Sequence, residues 1–150
     1  MATRSAAVKR IVVGVDGSDP GKHAVEWAAR LARAMRSEVI AVYALDIPVA
    51  LPDPYTIPLY LDNKVRAGIE ADLVNKWCRP LKTAGVRYRA VLQDGRPASV
   101  IMDVADSEKA DLVVLGRRGR GEVTELLLGS VSHEVVLHSK RPVLLIPRRA

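Results

Sequence analysis

Five short runs rich in aliphatic residues recur along this chain, the third with partial alternation, and helical stretches lie between them. RIVVGVD (10–16), EVIAVYAL (38–45), Val86 to Leu92, DLVVL (111–115) and Pro142 to Pro147 all have strand length. Between the first two, Ala24, Val25, Ala28, Leu31, Ala32 and Met35 recur at helical spacing, predicting a helix over 20–35. Val65, Ile69, Leu73, Trp77 and Leu81 form one stripe, predicting a single helix over 61–84 that Gly85 ends. Further helices are expected near 97–109 and over 130–139. Strands alternating with helices imply a parallel sheet joined by right-handed crossovers. Nearly all-apolar strands imply that helices cover both faces. The expected architecture is therefore α/β, a three-layer open sandwich on a five-stranded parallel sheet.

Length and composition agree. With 150 residues the chain is one domain. It has no Phe, so Val, Leu, Ile and Ala must fill the core. Residues 1–8 read as a flexible N-terminal tail. No apolar run approaches the roughly 20 residues that span a membrane, and MATRSAAVKR lacks the apolar segment of a signal peptide. Cys78 is the single cysteine, which leaves neither a disulfide framework nor a thiolate metal cluster. These features point to a cytoplasmic protein.

The net charge of +6 raises the question of nucleic acid. Arg4, Lys9, Arg10, Arg148 and Arg149 sit at the two ends, and without them the charge falls to about +1. Arg117, Arg118 and Arg120 then concentrate the remaining positive charge on one glycine-rich loop. Such a cluster suits a compact anion better than an extended phosphate backbone.

That loop, GRRGRGEVTELLLGS (116–130), begins directly after DLVVL. It therefore leaves the carboxyl end of a strand, where open α/β sheets bind ligands. Its glycines let backbone N–H groups approach a ligand closely. Gly129-Ser130 opens a helix whose first N–H groups lack intrahelical partners, which makes an anion site. The Ser130 hydroxyl either donates to a phosphate oxygen or caps the helix. Neither a P-loop nor a dinucleotide fingerprint is present: Gly21-Lys22 is followed by His23, and the first strand leads into Gly14-Val15-Asp16-Gly17. Asp16 is either a turn former before Gly17 or a ligand-binding group at a strand end.

Gly116-x2-Gly119-x9-Gly129-Ser130, with IVVGVDGS upstream and GSVSHEVVLHSKRPVLLIP downstream, resembles the ATP-binding universal stress proteins over nearly the whole chain. The resemblance implies a Rossmann-like fold of the adenine nucleotide alpha hydrolase type, with strand order 3-2-1-4-5. It places Asp16, with Gly14 and Val15, near the adenine or ribose, and gives the backbone at Ala44 the adenine edge. Leu115, Gly116, Arg117 and Gly119 are then expected around the ribose and phosphates, and Gly129, Ser130 and Val131 at the phosphates. ATP, with or without Mg²⁺, is the implied cofactor. A homodimer through Val143, Leu144, Leu145 and Ile146 is implied too.

The expected role is a stress-linked regulator or nucleotide sensor. Slow ATP hydrolysis, with Asp16 holding Mg²⁺ or orienting a water, is an alternative, as are cyclic-nucleotide binding and a nucleic-acid module using the basic tails. The sequence offers no assembled nucleophile, base and orienting group. His23, His133 and His138 lack metal-ligand spacing, and Trp27 and Trp77 read as packing residues.

Overall fold

The computed structural model describes residues 6–46, 63–118 and 128–149. Five parallel strands, β1 (Arg10–Gly14), β2 (Glu38–Leu45), β3 (Tyr88–Asp94), β4 (Leu112–Gly116) and β5 (Val143–Ile146), form one sheet in the order β3-β2-β1-β4-β5. The helices are α1 (Asp19–Met35), α2 (Asn63–Asp72), α3 (Arg79–Thr83), α4 (Pro97–Ser107) and α5 (Ser130–His138). The three-layer α/β sandwich expected from the sequence and the strand order implied by the resemblance are both present.

Strand alternation builds two apolar layers. Ile11, Val13, Val39 and Ala41 face Ala24, Val25 and Ala28 of α1 and Leu81 of α3. Val12, Ile40, Val42 and Val113 face Ala98, Ile101 and Val104 of α4 and Val135 of α5. Ile11, Val12, Val13 and Ile40 are wholly buried. Each such side chain contributes about 1.5–3 kcal/mol relative to exposure.

Local signals set the ends of α1. Ser18 Oγ accepts from the Gly21 N–H at 3.1 Å as N-cap, and Pro20 lies in the first turn. Arg36, at φ 55°, closes the helix in the left-handed region.

The single helix expected over 61–84 is instead α2, a π-helical turn over Leu73–Trp77, and α3. Pro80 explains the break. It has no N–H to give the carbonyl of Lys76, and its ring excludes that carbonyl from the normal position. Cys78 N–H reaches back five residues to Leu73 O at 3.0 Å. The widened turn brings the Trp77 ring onto Tyr43 of β2, with centroids 5.3 Å apart and planes 9° from parallel.

The third strand is displaced from the expected 86–92 to 88–94. Gly85, at φ 68°, turns the chain, and Val86 N–H is still bonded to Leu81 O. Pairing with β2 starts only at Tyr88 opposite Val39. The expected flexible tail is tied down at its end. Val8 packs on the core and its carbonyl accepts the Ser37 hydroxyl at 2.5 Å. The proline-rich segment lies outside the described residues beyond Asp46.

The chain winds from β1 out to β3, then returns to β4 on the other side of β1. Connections on either side of the β1–β4 pair therefore leave in opposite directions, opening a crevice at the strands' carboxyl ends.

Candidate functional site

A cavity of about 580 Å³ occupies that crevice. Gly14, Val15 and Asp16 line it from the end of β1, and Val42 through Asp46 from β2. Pro97 and Ile101 of α4, Leu115, Gly116 and Arg118 at the exit of β4, and Leu128 through Ser132 at the start of α5 complete most of the wall. Val15, Ile101 and Leu115 are buried and give the cavity apolar surface.

Two glycines permit this shape. A Cβ at Gly14 would stand 2.6 Å from Leu115 Cδ2 and 3.1 Å from Ile101 Cδ1. One at Gly116 would stand 2.9 Å from the Pro20 carbonyl oxygen, so β4 passes the first turn of α1 only because position 116 has no side chain.

The β2 wall presents backbone. Pairing with β1 stops at Gly14 opposite Val42, followed by Val15 N–H donating to Val42 O at 2.9 Å. On the other edge, Leu45 O accepts from Gly95 N–H at 3.0 Å. Because alternate residues of a strand direct their N–H and C=O to opposite neighbours, Ala44 turns both toward the side where β1 has ended. Tyr43, braced by Trp77, stiffens this overhang from the α1–α3 layer.

At the opposite wall three helices begin near the strand ends, and they differ. The α1 start is capped by Ser18. Helix α4 opens with Pro97, which has no N–H. Helix α5 has Gly129 as N-cap with no side-chain cap, and its first internal bond runs from His133 N–H to Gly129 O. Its first-turn donors, on Ser130 to Ser132, thus have no intrahelical acceptors and lie at the cavity wall. The partial positive charge of the helix start adds to them.

Asp16 sits between these walls. Its Oδ1 accepts from Ser18 N–H at 2.9 Å and from the Ser18 hydroxyl at 2.5 Å. It is therefore a turn former and a cavity-lining carboxylate at once.

Of the residues singled out from the sequence, Gly14, Val15, Asp16, Ala44, Leu115, Gly116, Gly129, Ser130 and Val131 meet at this one cavity. Arg117 does not: it is exposed and contributes backbone, donating to Ile146 O at 2.8 Å and accepting from Gly129 N–H at 2.9 Å. The neighbouring Arg118 is half-buried and lines the cavity instead. Both arginines follow β4, in the bend that leaves the strand. Gly119 and Arg120 lie outside the described residues.

Gly21, Asp46, Pro97, Ile101 and Ser132 were not anticipated. Gly21 had a signal, a glycine just inside a Ser-capped helix start. Pro97 and Ile101 reach the site only through packing of α4 on the sheet. Among the described residues no group of three or more His, Cys, Asp or Glu is placed to hold a metal. Cys78, buried behind α1, is far from thiolate character, since burial raises its pKa to about 11. Among the described residues no helix is long and apolar enough to cross a membrane.

A doubly wound parallel sheet with a crevice at its switch point defines a Rossmann-like α/β fold. Residues 7–147 match the model of the universal stress protein family, and the chain belongs to that family. The universal stress protein in the QAH/OAS sulfhydrylase 3′ region of Thermus aquaticus is 39% identical over 138 residues, covering 92% of this chain and 98% of the relative. Universal stress protein MJ0531 of Methanocaldococcus jannaschii is 32% identical over 142 residues, covering 93% and 82%. A crystal structure of a universal stress protein in complex with cAMP superposes with a TM-score of 0.74 at 30% identity, covering 96% of this chain and all of that one.

Proposed function

We propose that the protein binds an adenine nucleotide, ATP, in this cavity and acts as a cytoplasmic, nucleotide-responsive regulator of the stress response. The observation that carries the reading is the pairing of two complementary backbone features across one cavity. Ala44 offers an adjacent N–H and C=O, the donor–acceptor pair that complements adenine's N1 and N6 amino group. Across the cavity, the uncapped start of α5 offers N–H groups and positive potential to phosphates. Arg118 adds charge at that end, where guanidinium suits phosphate oxygens. The carboxylate of Asp16 lies between them, suited to ribose hydroxyls or to a Mg²⁺ brought in with the triphosphate.

The test is mass spectrometry of small molecules released on denaturation, followed by calorimetric titration with ATP, ADP and AMP, with and without Mg²⁺. Binding of ATP with unit stoichiometry supports the reading. Absence of heat and of thermal stabilisation with all three rejects it. The relative solved with cAMP makes cyclic nucleotide the second reading. Tighter binding of cAMP than of ATP in the same titration would favour it.

The same proposal includes a homodimer through β5. Among the described residues this strand pairs only with β4, and Val143, Leu144 and Leu145 keep partial exposure. Leu137 on the neighbouring α5 is 62% exposed, which extends the apolar surface. Light scattering that gives a dimer mass, reduced to the monomer by Leu144→Lys, supports it; a monomer at all concentrations rejects it.

A further inference from the structure

Ser132 occupies the third position of α5 and is 4% exposed. At that position a helix often carries a Glu or Gln that reaches back to its own N-cap N–H. Here the side chain goes elsewhere. The Ser132 hydroxyl donates to Gly116 O, at the end of β4, at 2.7 Å. The N-cap N–H, on Gly129, is taken by Arg117 O at 2.9 Å. Two bonds therefore tie the first turn of α5 to the last residue of β4 and the residue after it. A third, from Arg117 N–H to Ile146 O, ties that exit to β5.

The consequence lies in what these bonds leave over. A helix start can satisfy its early N–H groups with its own cap, as α1 does with Ser18. The bonds from Ser132 and Gly129 fix α5 without using the N–H groups of Ser130 and Val131, which line the cavity. The hydroxyl's acceptor, Gly116, is the residue that has no room for a side chain beside α1. The tie therefore runs from the phosphate-facing helix start to a backbone position that cannot shift toward α1.

We infer that Ser132 is a positioning residue for the phosphate end of the site: its bond to the Gly116 carbonyl fixes the direction of the α5 N–H groups. Its hydroxyl, given to that carbonyl, touches no ligand itself. The inference rests on the nucleotide reading above, and it makes a narrower claim: removing the hydroxyl weakens recognition of phosphates and leaves recognition of adenosine unchanged.

The experiment is calorimetric titration of ATP and of adenosine against the full-length protein and its Ser132→Ala and Ser132→Thr variants, with circular dichroism as a check on folding. In Ser132→Ala the affinity for ATP is expected to fall about tenfold, the scale of one lost hydrogen bond, with adenosine affinity within about twofold of wild type. Ser132→Thr, which keeps the hydroxyl, is expected to retain ATP affinity. Equal loss for ATP and adenosine would mean a general structural role and overturn the inference. So would wild-type ATP affinity in a folded Ser132→Ala protein, or a Ser132→Thr variant as weak as Ser132→Ala. If Ser132→Ala does not fold, Ser132→Cys, close in volume and a weak donor, is held to the same outcomes. A wild type that binds adenosine and ATP equally overturns the inference alone. One that binds neither overturns the nucleotide reading and the inference together.

Discussion

The carboxylate of Asp16 stands where a side chain at position 21 would have to be: a Cβ built on Gly21 falls far inside van der Waals contact with Asp16 Oδ1 and 3.3 Å from Ser18 Oγ. Gly21, in the first turn of α1, is thus the backing of the Asp16–Ser18 turn. In Gly21→Ala the helix itself gains propensity, by roughly 1 kcal/mol for a helix interior. The carboxylate must move, breaking its bonds to Ser18 N–H and Oγ. The expected outcome is a folded protein with a near-native thermal midpoint and at least about tenfold weaker ATP binding by calorimetry. Unchanged affinity would mean that the position of Asp16 is immaterial to the ligand.

Glycines 14 and 116 differ in what opposes a side chain. At Gly14 the obstacles are the tips of Leu115 and Ile101, which can change rotamer. At Gly116 all the nearest atoms are backbone, of Pro20 and Arg118. Gly116→Ala should therefore destabilise more than Gly14→Ala, with overpacking of this kind costing about 1–3 kcal/mol. Urea unfolding of the two variants checks the order, and a larger loss for Gly14→Ala would contradict it.

At the opposite end of the sheet Arg89 bonds Glu108 through both terminal nitrogens, at 2.7 and 3.2 Å, and Glu38 through Nε at 2.9 Å. The bond from Arg89 holds the Glu108 carboxyl below its usual range. A carboxylate whose folded pKa is depressed adds stability above its unfolded pKa and loses it as pH falls through the folded value. Glu108→Gln should thus be less stable than wild type at pH 7, and the gap should close on acidification below about pH 4. These side chains are partly exposed, so the gap should be no more than about 1 kcal/mol and should shrink in high salt. Urea unfolding at both pH values measures it; a gap that widens in acid would be the wrong sign.

Cys78 is wholly buried with its pKa raised to about 11. The thiol should resist a disulfide reagent at pH 8 in the folded protein and react at the rate of a free thiol in urea. Reaction at comparable rates in both states would show that the α1–α3 layer opens readily.

Much of this protein was legible in the chain. Nearly all-apolar strands alternating with helical periodicity fix a covered parallel sheet, because strand and helix patterns are local and the burial of both faces follows from composition. Ser18-Asp19-Pro20 and Gly85 mark the ends of their helices through bonds and dihedrals within a few residues. The glycine-serine spacing marks a loop followed by a helix start, again from local chemistry. Pro80 is a local signal too, and it breaks a stripe of apolar residues whose periodicity reads as one helix, through the N–H it cannot give the carbonyl four residues back. Tertiary structure decided the rest. Arg118 rather than Arg117 lines the cavity because of the path the chain takes in the bend after β4, where Arg117 is held by backbone bonds to Ile146 and Gly129. Ile101 and Pro97 reach the site through the packing of α4, and Ser132 bonds Gly116 across 16 positions of chain. Such contacts depend on how elements stack, a relation between distant segments that no local pattern encodes.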